Sequence, residues 1–365
     1  MIGDHMSLSS TCASQSSEVD PLPALAELKP VLMRFQKRSA SRALIQVANS
    51  LAMYVLLWCA IYWSWRFSYA LALCLIFLAG LWVVRVFIIM HDCGHGSFTQ
   101  SKLANTIIGN IAGLMVFTPY YHWRWEHAIH HNTSGDLGRR GIGDVWTMTV
   151  EEYLKSPPWR RFIYAVTRNP SVLFSIAPLM VFLFLYRVPA RNAPRREFWS
   201  VWATNIWVLA LWVTLSVLFG WRQFLITQLL ITMVGGGIGI WLFYVQHQFE
   251  DTYWTPSEEW SYLAAALRGS SFYRLPKILQ WFSGSIGFHH IHHLSPRIPN
   301  YNLQLCHAAH PAFAQAPTIT LRTSLACGKL KLWDERTRQL VSFQQLKSRT
   351  NAKGAGCDYE NGGMV

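Results

Sequence analysis

Charge is scarce in this chain, and negative charge scarcer still. Of 365 residues, 14% are charged, with 19 Asp and Glu against 32 Lys and Arg. The apolar fraction is 52%, with 18 Trp and 20 Phe, which favours one polytopic membrane domain over two soluble ones. The seven cysteines form no CxxC pair and read as free thiols in a reducing compartment. No HExxH helix of the zinc-protease kind occurs, nor an ExxH pair of the soluble carboxylate-bridged di-iron bundle. Walker and Rossmann fingerprints are also missing, which removes nucleotide-driven transport and direct nicotinamide binding. No early basic region leads into an apolar one, so no secretory signal is read. The net charge of +13 raises nucleic acid as a partner, but no recognisable module accompanies the basic residues, and that partner is set aside.

The basic residues fall between apolar runs instead, which is a topology signal. Residues 1–28 are rich in Ser and Pro, lack periodicity, and are expected to form a disordered arm. Lys29, Arg34, Lys37, Arg38 and Arg42 then precede the run Ala43 to Trp65, long enough for a helix of about 34 Å. A second run over 68–90 follows after Arg66 and Phe67, making a tight hairpin. Runs over 200–220 and 223–245 make another, with Trp221 and Arg222 at its bend. Each bend carries one Arg while every other flank carries many, so both termini and the middle segment are expected in the cytoplasm. Two shorter stretches, Leu103 to Thr118 and Ser171 to Tyr186, are expected as re-entrant or interfacial segments. The expected architecture is an all-α membrane protein: four transmembrane helices in two hairpins over residues 29–314, a cytoplasmic helical cap, and a polar cytoplasmic tail over 315–365.

Histidine is the residue that the chain has organised. His91 and His95 stand at i and i+4; His127, His130 and His131 stand at i, i+3 and i+4, as do His289, His292 and His293. On a helix each set shares a face and can aim two or three imidazoles at one point. Eight converging nitrogens exceed what one ion takes, so two metal ions are expected. His247, just past the fourth run, is a ninth candidate. Asp92 is a candidate acceptor for an imidazole N–H, with a solvated helix-end charge as its plainer reading. His290 points off the shared face of its neighbours, and His5, His122, His307 and His310 read as arm, interfacial or surface residues. Gly235-Gly236-Gly237-Ile238-Gly239 reads first as close helix packing and second as room for an acyl chain.

These clusters resemble the three histidine boxes of the membrane fatty acid desaturase family: HxxxH at His91 to His95, and HxxHH at His127 to His131 and at His289 to His293. The likeness runs from about residue 40 to residue 310. It implies a centre of two iron ions on histidine ligands, with His247 among them. Dioxygen is implied as oxidant, with a cis double bond as the product in an acyl lipid. The segments Asn132 to Tyr153 and Leu294 to Leu303 look like the bacterial acyl-lipid branch, which resembles plant-type Δ12 enzymes; Asn300 departs from them where a histidine is usual. The likeness to the bacterial branch points to a bacterial cytoplasmic (inner) membrane, and the count of basic residues puts the histidine clusters on its cytoplasmic side. Electrons must come from a partner such as ferredoxin or cytochrome b5, because no flavin, iron–sulfur or HPGG haem signature is present. Arg139, Arg140, Arg160 and Arg161 are candidates for docking that partner, or for anionic lipid headgroups. A hydroxylase on the same scaffold remains a second reading, and a membrane metal-dependent hydrolase or metal transporter a third.

Overall fold

The computed structural model describes residues 22–349. The chain enters through α1 (Leu25–Phe35) and α2 (Ala40–Ser64), then α3 (Tyr69–His95), α4 (Lys102–Met115) and α5 (Tyr120–Thr133). A strand β1 (Met148–Thr149) leads to α6 (Val150–Lys155) and α7 (Pro158–Thr167). A π turn (Val172–Ile176), α8 (Ala177–Leu183) and a 3-10 turn (Leu185–Arg187) precede the long helices α9 (Arg195–Phe219) and α10 (Trp221–His247). The remainder is short: α11 (Tyr262–Arg268), β2 (Phe272–Arg274), α12 (Lys277–Phe282), α13 (His289–Leu294), α14 (Asn300–His307) and α15 (Pro311–Ala314). Then come β3 (Thr318–Thr320), α16 (Leu321–Cys327), β4 (Leu332–Asp334) and β5 (Gln339–Val341).

Among the described residues four helices, α2, α3, α9 and α10, are long and apolar enough to cross a membrane. They pair as the two expected hairpins. Ser39 and Ser68 start α2 and α3 by accepting from the N–H groups of Arg42 and Leu71. α3 and α10 each have 27 residues, or about 40 Å against a hydrocarbon core of about 30 Å. The surplus is the turn or two that carries His91, His95 and His247 clear of the apolar layer. α3 stops directly after its histidines because Gly96 takes a left-handed conformation (φ 65°) and caps Asp92 and Cys93. Exposed apolar side chains such as Ile206, Leu209, Val213 and Val217 cover α9, a surface that only lipid suits. α3 and α10 approach closely at Gly80 and Gly235, where a Cβ on Gly235 would sit 2.9 Å from the Gly80 carbonyl oxygen.

The two short apolar stretches are not straight helices of spanning length. α4 packs back along the last turns of α3. The stretch Val172–Arg187 is bent by 62° from α7, the shape of a broken or re-entrant segment.

Both chain ends depart from expectation. Most of the expected arm lies outside the described residues, but its last residues begin α1. Leu28 and Leu32 of that helix are buried against Ile298, Leu303 and Cys306. The expected tail is folded as far as residue 349. β4 pairs in parallel with β1 and antiparallel with β5, burying Leu332, Trp333, Leu340 and Val341. Lys331, buried beside β4, donates to the last carbonyls of two helices, Arg168 after α7 and Gly328 after α16, each at 2.5 Å. These segments close the cap because their few apolar residues find partners far away in sequence. Short strands without a sustained period leave that pairing unannounced.

Candidate metal centre

The nine histidines named above converge into two groups, one of five and one of four, with the ligand atoms in each within 4.8 Å of one another. His91, His95, His127, His131 and His292 form the larger group; His130, His247, His289 and His293 form the smaller. Both lie at the cap ends of α3 and α10, held between α5 and α13.

Each HxxHH box was expected to aim at one point. Instead each box divides between the two groups. The i, i+4 pair His127 and His131 serves the larger group while His130 serves the smaller. In α13 the roles exchange: His289 and His293 serve the smaller group and His292 the larger. The reason is angular. Positions i and i+4 lie about 40° apart around a helix, whereas i+3 lies about 100° from i+4. One turn of helix can therefore face two points at once.

The nitrogens are arranged as ligands rather than as hydrogen-bond partners. His292 Nε2 lies 3.0 Å from His91 Nε2 and 3.0 Å from His131 Nε2, which is 3.1 Å from His127 Nε2. In the smaller group His247 Nε2 lies 2.9 Å from His289 Nε2 and 3.2 Å from His130 Nε2. A neutral imidazole has one N–H and one lone pair, so it cannot serve two neighbours that have only the same to offer. Nitrogens about 2.1 Å from one ion and at right angles would be about 3.0 Å apart, which is the spacing found. His95 Nε2 is buried with no hydrogen-bond partner, as suits a ligand atom. Burial, and then the neighbouring imidazoles, hold His127, His131, His289, His292 and His293 well below the usual histidine range. Burial thus favours the neutral form, whose lone pair is what a metal ion takes. The donor set, all imidazole, suits iron, zinc, copper or nickel.

Three of the rings are steered from behind. His91 Nδ1 is 3.0 Å from Asp92 Oδ1, His130 Nδ1 is 2.6 Å from Asp144 Oδ1, and His247 Nδ1 is 3.1 Å from the Gly269 carbonyl. Each contact fixes which ring nitrogen keeps the proton and so turns the other toward its group. Asp92 is itself held: its Oδ2 accepts from the backbone N–H of Asn300 at 2.7 Å. Asn300 thus acts here through its backbone at the start of α14. The adjoining Asn302 amide donates to the carbonyls of Phe35 and Lys37, tying α1 to the site.

His290, read as pointing off the shared face of its neighbours, stands apart from both groups, its Nε2 3.0 Å from His307 Nδ1. His122, expected near the surface, is buried, and its Nε2 accepts from the Ala190 N–H at 3.0 Å. Asp144 and Glu126 had no assigned part, yet Asp144 steers His130, and Glu126 borders the site with its carboxyl raised by burial to about 7. Their only sequence signal is proximity to the second box and to the Gly141 and Gly143 turns. His5 lies outside the described residues.

A cavity of about 530 Å³ opens onto both groups, lined by His91 and His127 on one side and His289 on the other. Its walls are mostly apolar, including Val84, Phe87, Trp123, Leu242 and Phe243. The glycine run borders it. Gly235, Gly236 and Gly237 pack against Gly80, Pro178 and Phe174, whereas Gly239 lines the cavity and has nothing within 4 Å of its missing Cβ.

Comparison with known proteins agrees with this geometry. The fatty acid desaturase family pattern matches residues 67–324. The chain belongs to the fatty acid desaturase family. This desaturase is 43% identical over 321 residues to a fatty acid desaturase of Bacillus subtilis (strain 168), covering 88% of this chain and 91% of that one. It is 27% identical over 244 residues to an sn-1 oleoyl-lipid 12-desaturase of Synechocystis, covering 63% of this chain and 65% of the other. A chloroplastic omega-6 fatty acid desaturase of Arabidopsis thaliana is 26% identical over 308 residues, covering 81% of this chain and 61% of its own length. The chain therefore spans less than two thirds of those last two relatives. Family and helices together make it an integral membrane oxidoreductase.

Proposed function

We propose that the chain is an acyl-lipid desaturase that places a cis double bond in a fatty acyl chain, using dioxygen and electrons from a separate donor. The observation that carries this reading is one apolar cavity ending on histidines of both groups. An acyl chain has no polar handle near its middle, so position must be set by shape, and the cavity walls do that.

In this reading the nine histidines His91, His95, His127, His130, His131, His247, His289, His292 and His293 hold two iron ions. Bound there, the irons supply the oxidising power that removes two hydrogens from adjacent carbons. The protein supplies everything else. Phe87, Trp123 and Phe243 line the reacting end and keep water from it. Asp92 and Asp144 hold the N–H protons of His91 and His130 and keep those rings turned inward.

In this reading the electrons come from an external one-electron carrier such as ferredoxin or cytochrome b5, since the sequence shows no flavin, iron–sulfur or haem signature of its own. One relative is an acyl-lipid omega-3 desaturase (cytochrome b5) of the Arabidopsis endoplasmic reticulum. The expected basic docking patch is reduced, since Arg139 pairs with Asp136 and Arg140 with Glu152. Arg160 and Arg161 sit on α7 beside the exposed apolar stripe Trp159, Phe162, Ile163 and Val166, the spacing of a helix lying in the membrane surface. Anionic headgroups are thus the better partners for those two arginines. The charge pattern supports a cytoplasmic site in a bacterial inner membrane, and the omega-6 and oleoyl-lipid 12-desaturase relatives support Δ12 placement.

Expression in a host without polyunsaturated lipids, with iron and a reductant present, tests all of this. Mass spectrometry of the lipids should show a new double bond and its position, and His292→Ala should abolish it. A new hydroxyl in place of a double bond would transfer the chain to the hydroxylase reading, and unchanged lipids would remove both.

A further inference from the structure

The cavity that ends on the histidines has one thin side. Its wall toward the lipid is a single layer, the stretch Val172–Arg187. Ile176, Met180 and Phe184, four residues apart, are exposed along its outer face. Val181, Phe182, Leu185 and Tyr186 line the cavity on the inner face. The wall is also irregular, running as a π turn, one short α-helix and a 3-10 turn, a form common at functional breaks.

Most of this wall is fixed. Phe174 and Pro178 press against α10, where a Cβ on Gly237 or Gly236 would lie 2.3 Å from the Phe174 carbonyl oxygen or 2.8 Å from Pro178 Cβ. Beyond it, the Arg187 guanidinium donates to the Phe117 carbonyl, Asn205 donates to the Arg187 carbonyl at 2.9 Å, and the Ala190 N–H reaches His122. Between these anchors, Leu185 and Val188 do two things at once. They line the cavity, and they are 63% and 68% exposed on the outer surface. Side chains that face both ways mark a mouth. Exposed Arg191 and Arg195 follow within a few residues, before α9 enters the apolar layer, where a phosphate headgroup would find cations.

We propose that Leu185 and Val188 frame a lateral window through which the acyl chain of a membrane phospholipid passes from the bilayer to the histidines. The chain arrives without crossing water, and its phosphate stays outside beside Arg191 and Arg195. This inference rests on the desaturase reading for its substrate but on the wall for its location.

The test uses the iron-loaded protein in phosphatidylglycerol nanodiscs containing a phosphatidylglycerol with a photoactivatable group midway along one acyl chain. In the wild type, label is expected on cavity peptides around Gly239 and Phe243. The pair Leu185→Trp and Val188→Trp should lower that labelling about ten-fold by obstructing access, with iron content unchanged. Val217→Trp, on the lipid-facing side of α9, should leave it alone. The pair Leu185→Ala and Val188→Ala should label at least as strongly as wild type, which keeps the test sharp should the tryptophan pair lose its iron. Undiminished labelling in a folded tryptophan pair, or obstruction by the alanine pair, would overturn the window. Cavity labelling that depends on the window without any double bond formed would uphold it and sink the desaturase reading. A double bond made at full yield by the tryptophan pair would do the reverse.

Discussion

At the scale of single residues, the sequence is most legible where chemistry imposes a local spacing. Side chains that meet on one helix face sit three or four residues apart, so His91 with His95, His127 with His131 and His289 with His293 can be read as pairs without knowing the fold. The division of each box between two groups is legible only once α5 and α13 face each other, because the angle between i+3 and i+4 has no meaning until two targets exist. Asp144 is the plainest case of a residue that spacing could not find. It reaches His130 across a loop of glycines, and nothing in that loop encodes the distance except the turns themselves, Gly141 at φ 118° and Gly143 at φ 73°. Its role is testable. Asp144→Ala should weaken iron binding by about 10- to 100-fold, the usual effect of losing a hydrogen bond behind a ligating imidazole. Asp144→Asn keeps an oxygen that can accept from Nδ1 and should weaken it less. Iron retained against a graded chelator series measures both, and equal losses in the two variants would mean that an accepting oxygen at this position does not steer His130.

At the scale of elements, the long helices were legible and the short pieces were not. Apolar runs bounded by basic residues locate α2, α3, α9 and α10 to within a few residues. α1 was hidden by Pro30 within it and by its shortness, since only its packing under α14 gives Leu28 and Leu32 a partner. The C-terminal strands were hidden because each has three residues, too few for alternation to register. Lys331, beside β4, shows how completely that region is built in. Burial, and then the Arg168 charge, lower its ammonium from 10.5 to about 8. Between those values the unfolded chain holds a proton that the folded chain has released, so stability rises with pH across that window. Below pH 8 the folded protein bears the cost of a buried cation. Lys331→Met removes that charge, and its melting temperature relative to wild type should be highest near pH 7. The difference should fall by about 2 °C by pH 10, the effect of roughly 1 kcal/mol after solvent screening. Parallel melting curves across that range would show that Lys331 carries no strained charge.

At the scale of the whole molecule, the two histidine groups that could hold ions also join distant parts of the fold. The larger draws on α3, α5 and α13, and the smaller on α5, α10 and α13. Each hairpin therefore contributes its second helix to one group, and the same two cap helices close both. Without ions, these elements would bring nine mostly buried imidazoles together with few hydrogen-bond partners, a poor use of interior space. With ions, the same nitrogens cross-link two membrane hairpins and the cap through long loops, where binding to the folded state adds directly to stability. The expectation is an uneven loss on stripping. In chelated protein the spans α2 and α9, which supply no ligand, should keep their slow hydrogen exchange, because lipid and the hairpin bends still hold them. α13 and the end of α5 should exchange faster by an order of magnitude or more. Ferrous iron added without oxygen should restore protection in proportion to the logarithm of its concentration once the sites are nearly full. In His292→Ala the larger group loses its only α13 ligand while the smaller keeps both of its own, so iron should restore protection in α10 more fully than in α3. Identical exchange in stripped and loaded protein would mean that packing alone holds the cap together, and the histidines would then be passengers in the fold.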